Sequence, residues 1–300
     1  MNRKFNFSSK FRSANIFSLF IFATSLIFIL FKGLNYGIDF KGGTLIELRA
    51  SNTNTSSIRS ILTNMNLGDV SVKNFGKSSD YLIKVEQKQT NEENIIPQIK
   101  KKLTENLNTE INFRRVENVG PKVSAELLQS GILAISLSLA AMLFYIWIRF
   151  EWQFSLGSII ALFHDVVITL GIFSFLSLEI NLSIIAAVLT IVGYSMNDTV
   201  VIYDRIRENL NKYNKLSISE IANLSINDTL ARTIITSITT LLALLSIFIL
   251  GGEILRGFSF AMILGVIIGT YSSIFVASPI LKFFKVTYKT LEKEEEKIVP

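Results

Sequence analysis

Six runs of apolar residues, near 15–32, 131–149, 154–176, 183–203, 232–250 and 257–281, are long enough, or nearly so, to cross the roughly 30 Å hydrocarbon core of a bilayer. They are rich in Leu, Ile and Phe and poor in turn residues, which fits helices. Barrel strands would show weak alternating segments of about ten residues instead. With 49% hydrophobic residues and a mean hydropathy of +0.43 over 300 residues, the chain is too apolar for a soluble domain of this length. The expected fold class is a polytopic α-helical membrane protein with six transmembrane helices.

Positive charge in the short loops sets the expected orientation. Arg3, Lys4, Lys10 and Arg12 precede the first run. Arg205, Arg207, Lys212, Lys215 and Arg232 mark the 204–232 connection, and five lysines follow from Lys282 to Lys297. On the other side, 177–182 carries no Lys or Arg and 251–257 only Arg256. Both termini and the 204–231 loop are therefore expected in the cytoplasm. The first helix reads as an uncleaved anchor, because no small-residue cleavage site follows it. Anionic lipid facing these residues accounts for the net charge of +6 without any nucleic-acid partner. The absence of cysteine decides nothing about compartment.

Residues 33–130 are polar and are expected outside the membrane, on the face opposite the cytoplasm. Alternation predicts strands at 44–49, 69–75, 81–86 and 110–116, and helical spacing predicts helices at 55–65, capped by Asn54, and 92–107. That order, β-α-β-β-α-β, is the split βαβ of a ferredoxin-like α+β domain. The expected organisation is a cytoplasmic N-terminus and first helix (1–32), the α+β domain (33–130), a five-helix bundle with its cytoplasmic loop (131–281), and a cytoplasmic tail (282–300). The segment Gly37-IDFKGG-Gly43 leads into the domain; its glycines suit a tight turn, with Asp39 within it, and a hinge is the functional alternative.

Ionisable groups within the apolar runs are the candidates for chemistry, because each is expensive in lipid and persists where it lines an ion path or meets a partner. Asp198 lies five residues from the cytoplasmic end of the fourth run. Arg232 opens the fifth at a matching depth, so the two are placed to pair. His164 and Asp165 stand deeper, in the third run. An Arg moving beside a carboxylate would switch its proton affinity. Asn197 and Thr199 flank Asp198, and Thr236 shares the Arg232 face with Thr239 and Thr240, where hydroxyls hold a relay or merely bond back to the preceding turn. A static Asp198–Arg232 pair and a packing role for His164–Asp165 remain open at this point. Gly257, Ala261, Gly265, Gly269, Ser273 and Ala277 recur every four residues in the sixth run, a stripe that admits a close helix neighbour.

Enzyme chemistry finds little support, so no catalytic residue, resident cofactor or metal site is assigned. Gly193-YSM-Met196 faintly echoes a serine-protease motif, but the only histidine precedes it. Tyr203-Asp204 matches one aspartyl-protease motif and lacks the second. A self-contained transporter usually has two related halves; six helices with one domain after the first look like one half.

Several stretches together resemble the SecD/SecF family of protein-export membrane proteins, within the RND-like superfamily, and its smaller, SecF-type branch in particular. They are Gly37-IDFKGGT-Thr44, Val119-GPKV-Val123, Arg149-FEW-Trp152, Leu162-FHDVVITLG-Gly171, Gly193-YSMNDTVVIYDRIREN-Asn209 and Leu230-ARTIITSITT-Thr240. The resemblance implies half of an RND-type bundle and a bacterial inner-membrane location. It also implies SecD as the partner supplying six further helices, with association with the SecYEG translocon, YajC and YidC. The implied function is coupling of the proton motive force to export of unfolded preproteins, with H⁺ or Na⁺ as the only cofactor-like species. Within the family's motifs, Asp198 and Arg232 match residues implicated in ion passage, and His164–Asp165 matches an H-D pair. A non-coupling scaffold subunit and half of a small-molecule exporter are the alternatives.

Overall fold

The structure, a computed structural model, describes residues 5–65, 67–74, 78–86, 95–107, 109–288 and 290, apart from the side chains of 253 and 254. Arg3, Lys4, the tail beyond 290 with Lys293 and Lys297, Phe75 and the first residues of the helix expected at 92–107 lie outside the described residues. Two compact units share the chain. One holds residues through Asn35, Ala134–Leu178 and Ser183 onward; the other holds Tyr36–Leu133 and Glu179–Leu182.

The first unit is helical. Among the described residues, six helical segments are long and apolar enough to cross a membrane. They are α1 (Phe11–Lys32), α5 (Pro121–Arg149), α6 (Trp152–Phe175), α7 (Leu182–Lys212), α8 (Ile218–Leu250), and a last span that begins as α9 (Gly252–Ser272). The last span continues through a π-helical turn at Ser273–Ala277 into α10 (Ser278–Phe283). Within this unit α6, α7 and the last span are the interior helices, buried over half or more of their most apolar stretch, whereas α1, α5 and α8 are exposed over most of theirs.

Helix boundaries differ from the apolar runs for local reasons. Pro121 occupies the first position of α5, where its missing N–H costs nothing, so that helix starts ten residues before its apolar run. The expected 204–231 loop is mostly helical. Ile202, Ile206 and Leu210 of α7 and Ile221, Ala222 and Ile226 of α8 are buried in one cluster, which draws both helices past the apolar limits. Ser217 and Glu220 form a capping box that starts α8, leaving only 213–217 as the connection.

The second unit is the ferredoxin-like domain that strand alternation predicts. A four-stranded antiparallel sheet has the order β3-β4-β2-β5, formed by β2 (Gly43–Ala50), β3 (Val70–Asn74), β4 (Asp80–Val85) and β5 (Ile111–Val119). The helices α3 (Thr55–Thr63) and α4 (Ile95–Asn106) alternate with the strands. Asn54 caps α3, accepting from the Ser57 amide at 2.8 Å. Register follows the buried faces: Ile46 opposes Ile83, and Leu48 opposes Tyr81. These four pack with Ile58 and Leu62 of α3 and Ile99 and Leu103 of α4, spaced one helical turn apart. The short strands β1 (Asn35–Tyr36) and β6 (Glu179–Ile180) form a separate ribbon, and α2 (Ile38–Lys41) lies between β1 and β2.

Candidate functional site

Among the described residues, two buried carboxylates lie within the spanning helices of the helical unit, each held by hydroxyls, while buried Glu151, just before α6, pairs with Arg207 at 3.0 Å. Asp165, on α6, is fully buried. Its Oδ2 accepts from Ser195 Oγ of α7 at 2.5 Å and from Ser272 Oγ of α9 at 2.7 Å. Its Oδ1 lies 2.9 Å from His164 Nδ1. Three helices therefore meet on one carboxylate. His164 is buried too; its ring lies parallel to Phe22 of α1, with centroids 6.3 Å apart, and its Nε2 has no hydrogen-bond partner among the described residues. The two hydroxyls solvate the carboxylate without neutralising it, in a bundle where a carboxylate without partners would be costly.

Asp198 is 3% exposed and sits one turn after Ser195 on α7. Its Oδ2 accepts from Thr270 Oγ1 of α9 at 3.3 Å, and Thr270 in turn meets Ser237 Oγ of α8 at 2.7 Å. Arg232 is exposed on α8. Its charge acts on Asp198, yet no hydrogen bond or ion pair joins the two among the described residues. The expected direct pair is thus replaced by a hydroxyl bridge. Thr236, Thr239 and Thr240 bond back to the carbonyls of Arg232, Ile235 and Thr236, as the bland reading of that stripe expects. Ser237, which is buried, reaches Thr270 of α9, and Thr240 Oγ1 also accepts from Tyr194 Oη of α7 at 3.5 Å. Thr199 bonds back to the Ser195 carbonyl, and Asn197 is exposed.

The small-residue stripe explains how α7 and α9 come close enough for these contacts. A Cβ on Gly265 would overlap Ile191, and one on Gly269 would lie 3.0 Å from Ser195 Cβ. A Cβ on Gly257 would meet Ile184 at 3.4 Å, and Ala261 is fully buried. The stripe faces α7 from Gly257 to Gly269, and the π turn then changes the register at Ser273. Ser278 Oγ bonds to the Ser273 carbonyl at 2.9 Å, and the Ala277 carbonyl accepts from Tyr203 Oη of α7 at 2.9 Å. Such bulges often mark functional stretches of helix. Nothing in a four-residue repeat signals this one.

In the second unit the Gly37–Gly43 segment is only partly a turn. Gly42 and Gly43 have φ of +81° and +141°, backbone that favours glycine. Gly37 is ordinary in φ, and a Cβ there would lie 2.6 Å from Glu179 Oε1, the far end of a side chain that can move aside. Asp39 Oδ2 accepts from the Leu182 amide at 2.9 Å.

Residues missed by sequence reasoning are Ser195, Thr270, Ser272 and Ser237. Ser195 carried a signal, one turn before Asp198. The other three stand among neighbouring hydroxyls, Ser237 beside Thr236 and both Thr270 and Ser272 close to Ser273, and only packing decides which become partners.

Two family models match the chain: "Protein export membrane protein SecD/SecF, C-terminal" over residues 99–287 and "SecD/SecF GG Motif" over residues 27–53. The protein translocase subunit SecF of Rickettsia bellii (strain OSU 85-389) is 47% identical over 284 residues, covering 93% of each chain. The crystal structure of SecDF, a translocon-associated membrane protein from Thermus thermophilus, matches with a TM-score of 0.85 at 36% identity, over 95% of this chain and 39% of that one. SecDF in a super-membrane-facing form matches with a TM-score of 0.71 at 35% identity, over 99% of this chain and 40% of that one. The chain thus spans about two-fifths of the SecDF chains it matches.

Proposed function

The chain belongs to the SecD/SecF family of protein-export membrane proteins, and on that basis we propose that it couples an ion gradient to protein export as the SecF-type subunit of the Sec translocase accessory complex. The observation that carries this reading is Asp198: a carboxylate buried within a membrane-spanning helix, hydrogen-bonded to a single hydroxyl and within electrostatic reach of an exposed arginine. An ionisable group so placed is costly, and such groups mark ion paths or pair with a partner. In the mechanism, H⁺ or Na⁺ binds and leaves Asp198, and Arg232 tunes its affinity as the helices shift. Asp165 with His164 forms a second buried station, one turn away along α7 through Ser195.

Its match to SecDF chains of which it covers about two-fifths supports SecD as the partner supplying the rest. SecYEG, YajC and YidC are further proposed partners, unfolded preprotein is the proposed substrate, and the charge pattern supports a bacterial inner membrane with both termini cytoplasmic. The protein is a transport component, and we assign it no catalytic residue.

The test is export in inner-membrane vesicles containing SecD, with Asp198→Asn and Arg232→Ala in parallel. Loss of gradient-dependent export with SecD still co-purifying is the expected outcome. Normal export from Asp198→Asn would make the charges structural and leave a scaffold.

A further inference from the structure

Residues 37–43 look on sequence like a flexible hinge, yet their contacts in the second unit are those of a fastening. We propose that this segment is a rigid clasp and that Asp39 is a positioning residue, tying the start of α7 to the β-sheet by capping that helix. The inference rests on the coupling function above and deepens it by naming the part that carries motion out of α7.

The first N–H groups of a helix have no partner within it, and a carboxylate there both accepts a hydrogen bond and suits the helix dipole. Helices usually take this cap from the residue just before them. At α7 a further acceptor comes from far along the chain: Asp39, 143 positions away, whose Oδ2 accepts from the Leu182 amide at 2.9 Å. Two neighbours of Asp39 reinforce the tie. The Gly37 amide donates to the Ile180 carbonyl at 2.8 Å, and Glu179, packed against Gly37, forms an ion pair with Lys84 of β4.

The remaining contacts lead to α5 and the sheet. Ser124 Oγ, buried in the first turns of α5, donates to the Ile38 carbonyl at 3.2 Å. Gly42 lies so close to Pro121 that an added Cβ would be 3.3 Å from its Cα. Gly43 opens β2 with its backbone against the Val85 carbonyl. Ile38 and Phe40 are themselves buried. A segment with so many buried contacts belongs to the stable end of local opening, the opposite of a hinge.

The consequence is mechanical. Asp198 lies about 24 Å along α7 from Leu182, at 1.5 Å per residue, and no break interrupts the helix. Within the second unit, Asp39 and its neighbours fasten the first residue of α7 to β2 and β4.

The experiment uses the full chain with SecD in vesicles, comparing Asp39→Ala, Asp39→Asn and Asp198→Asn. Two readouts are hydrogen exchange at the Leu182–Ile184 amides and gradient-dependent export, with SecD co-purification as the folding control. In Asp39→Ala, exchange at these amides rises about fivefold, the size of a lost cap, and export falls severalfold. Asp39→Asn, which keeps an accepting oxygen, restores both. Unchanged exchange in Asp39→Ala overturns the clasp, as does raised exchange with normal export. Lost export in Asp39→Asn with protection intact also overturns it, since the charge would then act by itself. Should Asp198→Asn export normally, the coupling reading falls, and the exchange arm alone decides whether Asp39 caps α7.

Discussion

Ser195 donates to Asp165 Oδ2 at 2.5 Å, joining α7 to α6 one helical turn before Asp198. A second hydroxyl, from Ser272, donates to the same oxygen, so one atom holds three helices together. The two carboxylates are thereby mounted on one stretch of α7, one through a serine and one directly.

This sharing predicts non-additive mutations. Hydrogen bonds to a charged group contribute about 1.5–3 kcal/mol each. Ser195→Ala or Ser272→Ala alone leaves Oδ2 with one donor and is expected to cost about 1–2 kcal/mol. Together they leave it with none, and the double variant should cost more than the sum of the singles. Thermal unfolding in detergent is the measurement, and strictly additive losses would show that the hydroxyls act separately.

Glycines 265 and 171 should differ in how they can be rescued. Gly265→Ala pushes into the Ile191 side chain, whereas Gly171→Ala pushes into both Cα and Cβ of Ser25 on α1. Overpacking of this kind costs about 1–3 kcal/mol. Adding Ile191→Ala should recover most of the Gly265→Ala loss. Adding Ser25→Gly should recover little of the Gly171→Ala loss, because the backbone remains in the way. Melting temperatures of the four variants test the contrast, and equal rescue would refute it.

The sheet-containing unit should stiffen at alkaline pH. Burial pushes Lys84 down to about 8, the Lys73 charge adds to this, and Asp39 opposes it. Below pH 8 Lys84 is protonated whether folded or unfolded, and burial of its charge outweighs the ion pair with Glu179. Between about 8 and the ordinary lysine value the unfolded chain holds the extra proton, so stability rises with pH. Exchange protection of β4 amides should increase across that window, and Lys84→Met should remove the increase. A variant with the same slope as the parent would assign the effect elsewhere.

Much of the architecture was legible in sequence, because it follows from local periodicity. Strand alternation placed β2 to β5 with their partners in ferredoxin-like order, and Asn54 announced the start of α3. Ser217 and Glu220 spelled a capping box as plainly, and reading them would have shown that 204–231 is mostly helix. The stripe Gly257–Gly269 was legible as a packing face, though not its partner, α7.

The sites divide along the same line. That Asp165 and Asp198 would be buried follows from sequence alone, since each interrupts a run that must lie in lipid or protein. What meets them was settled by packing. Gly265 and Gly269 let α9 approach α7, and that approach set Ser272 on Asp165 and Thr270 on Asp198, while Arg232 stayed on the exposed face of α8. The Asp39 cap is more distant still, joining residues 143 positions apart. Periodicity reports which face of a helix avoids water, a property of neighbours a few residues away. A hydrogen bond between helices depends on where two backbones cross, and that is fixed only when the whole bundle packs.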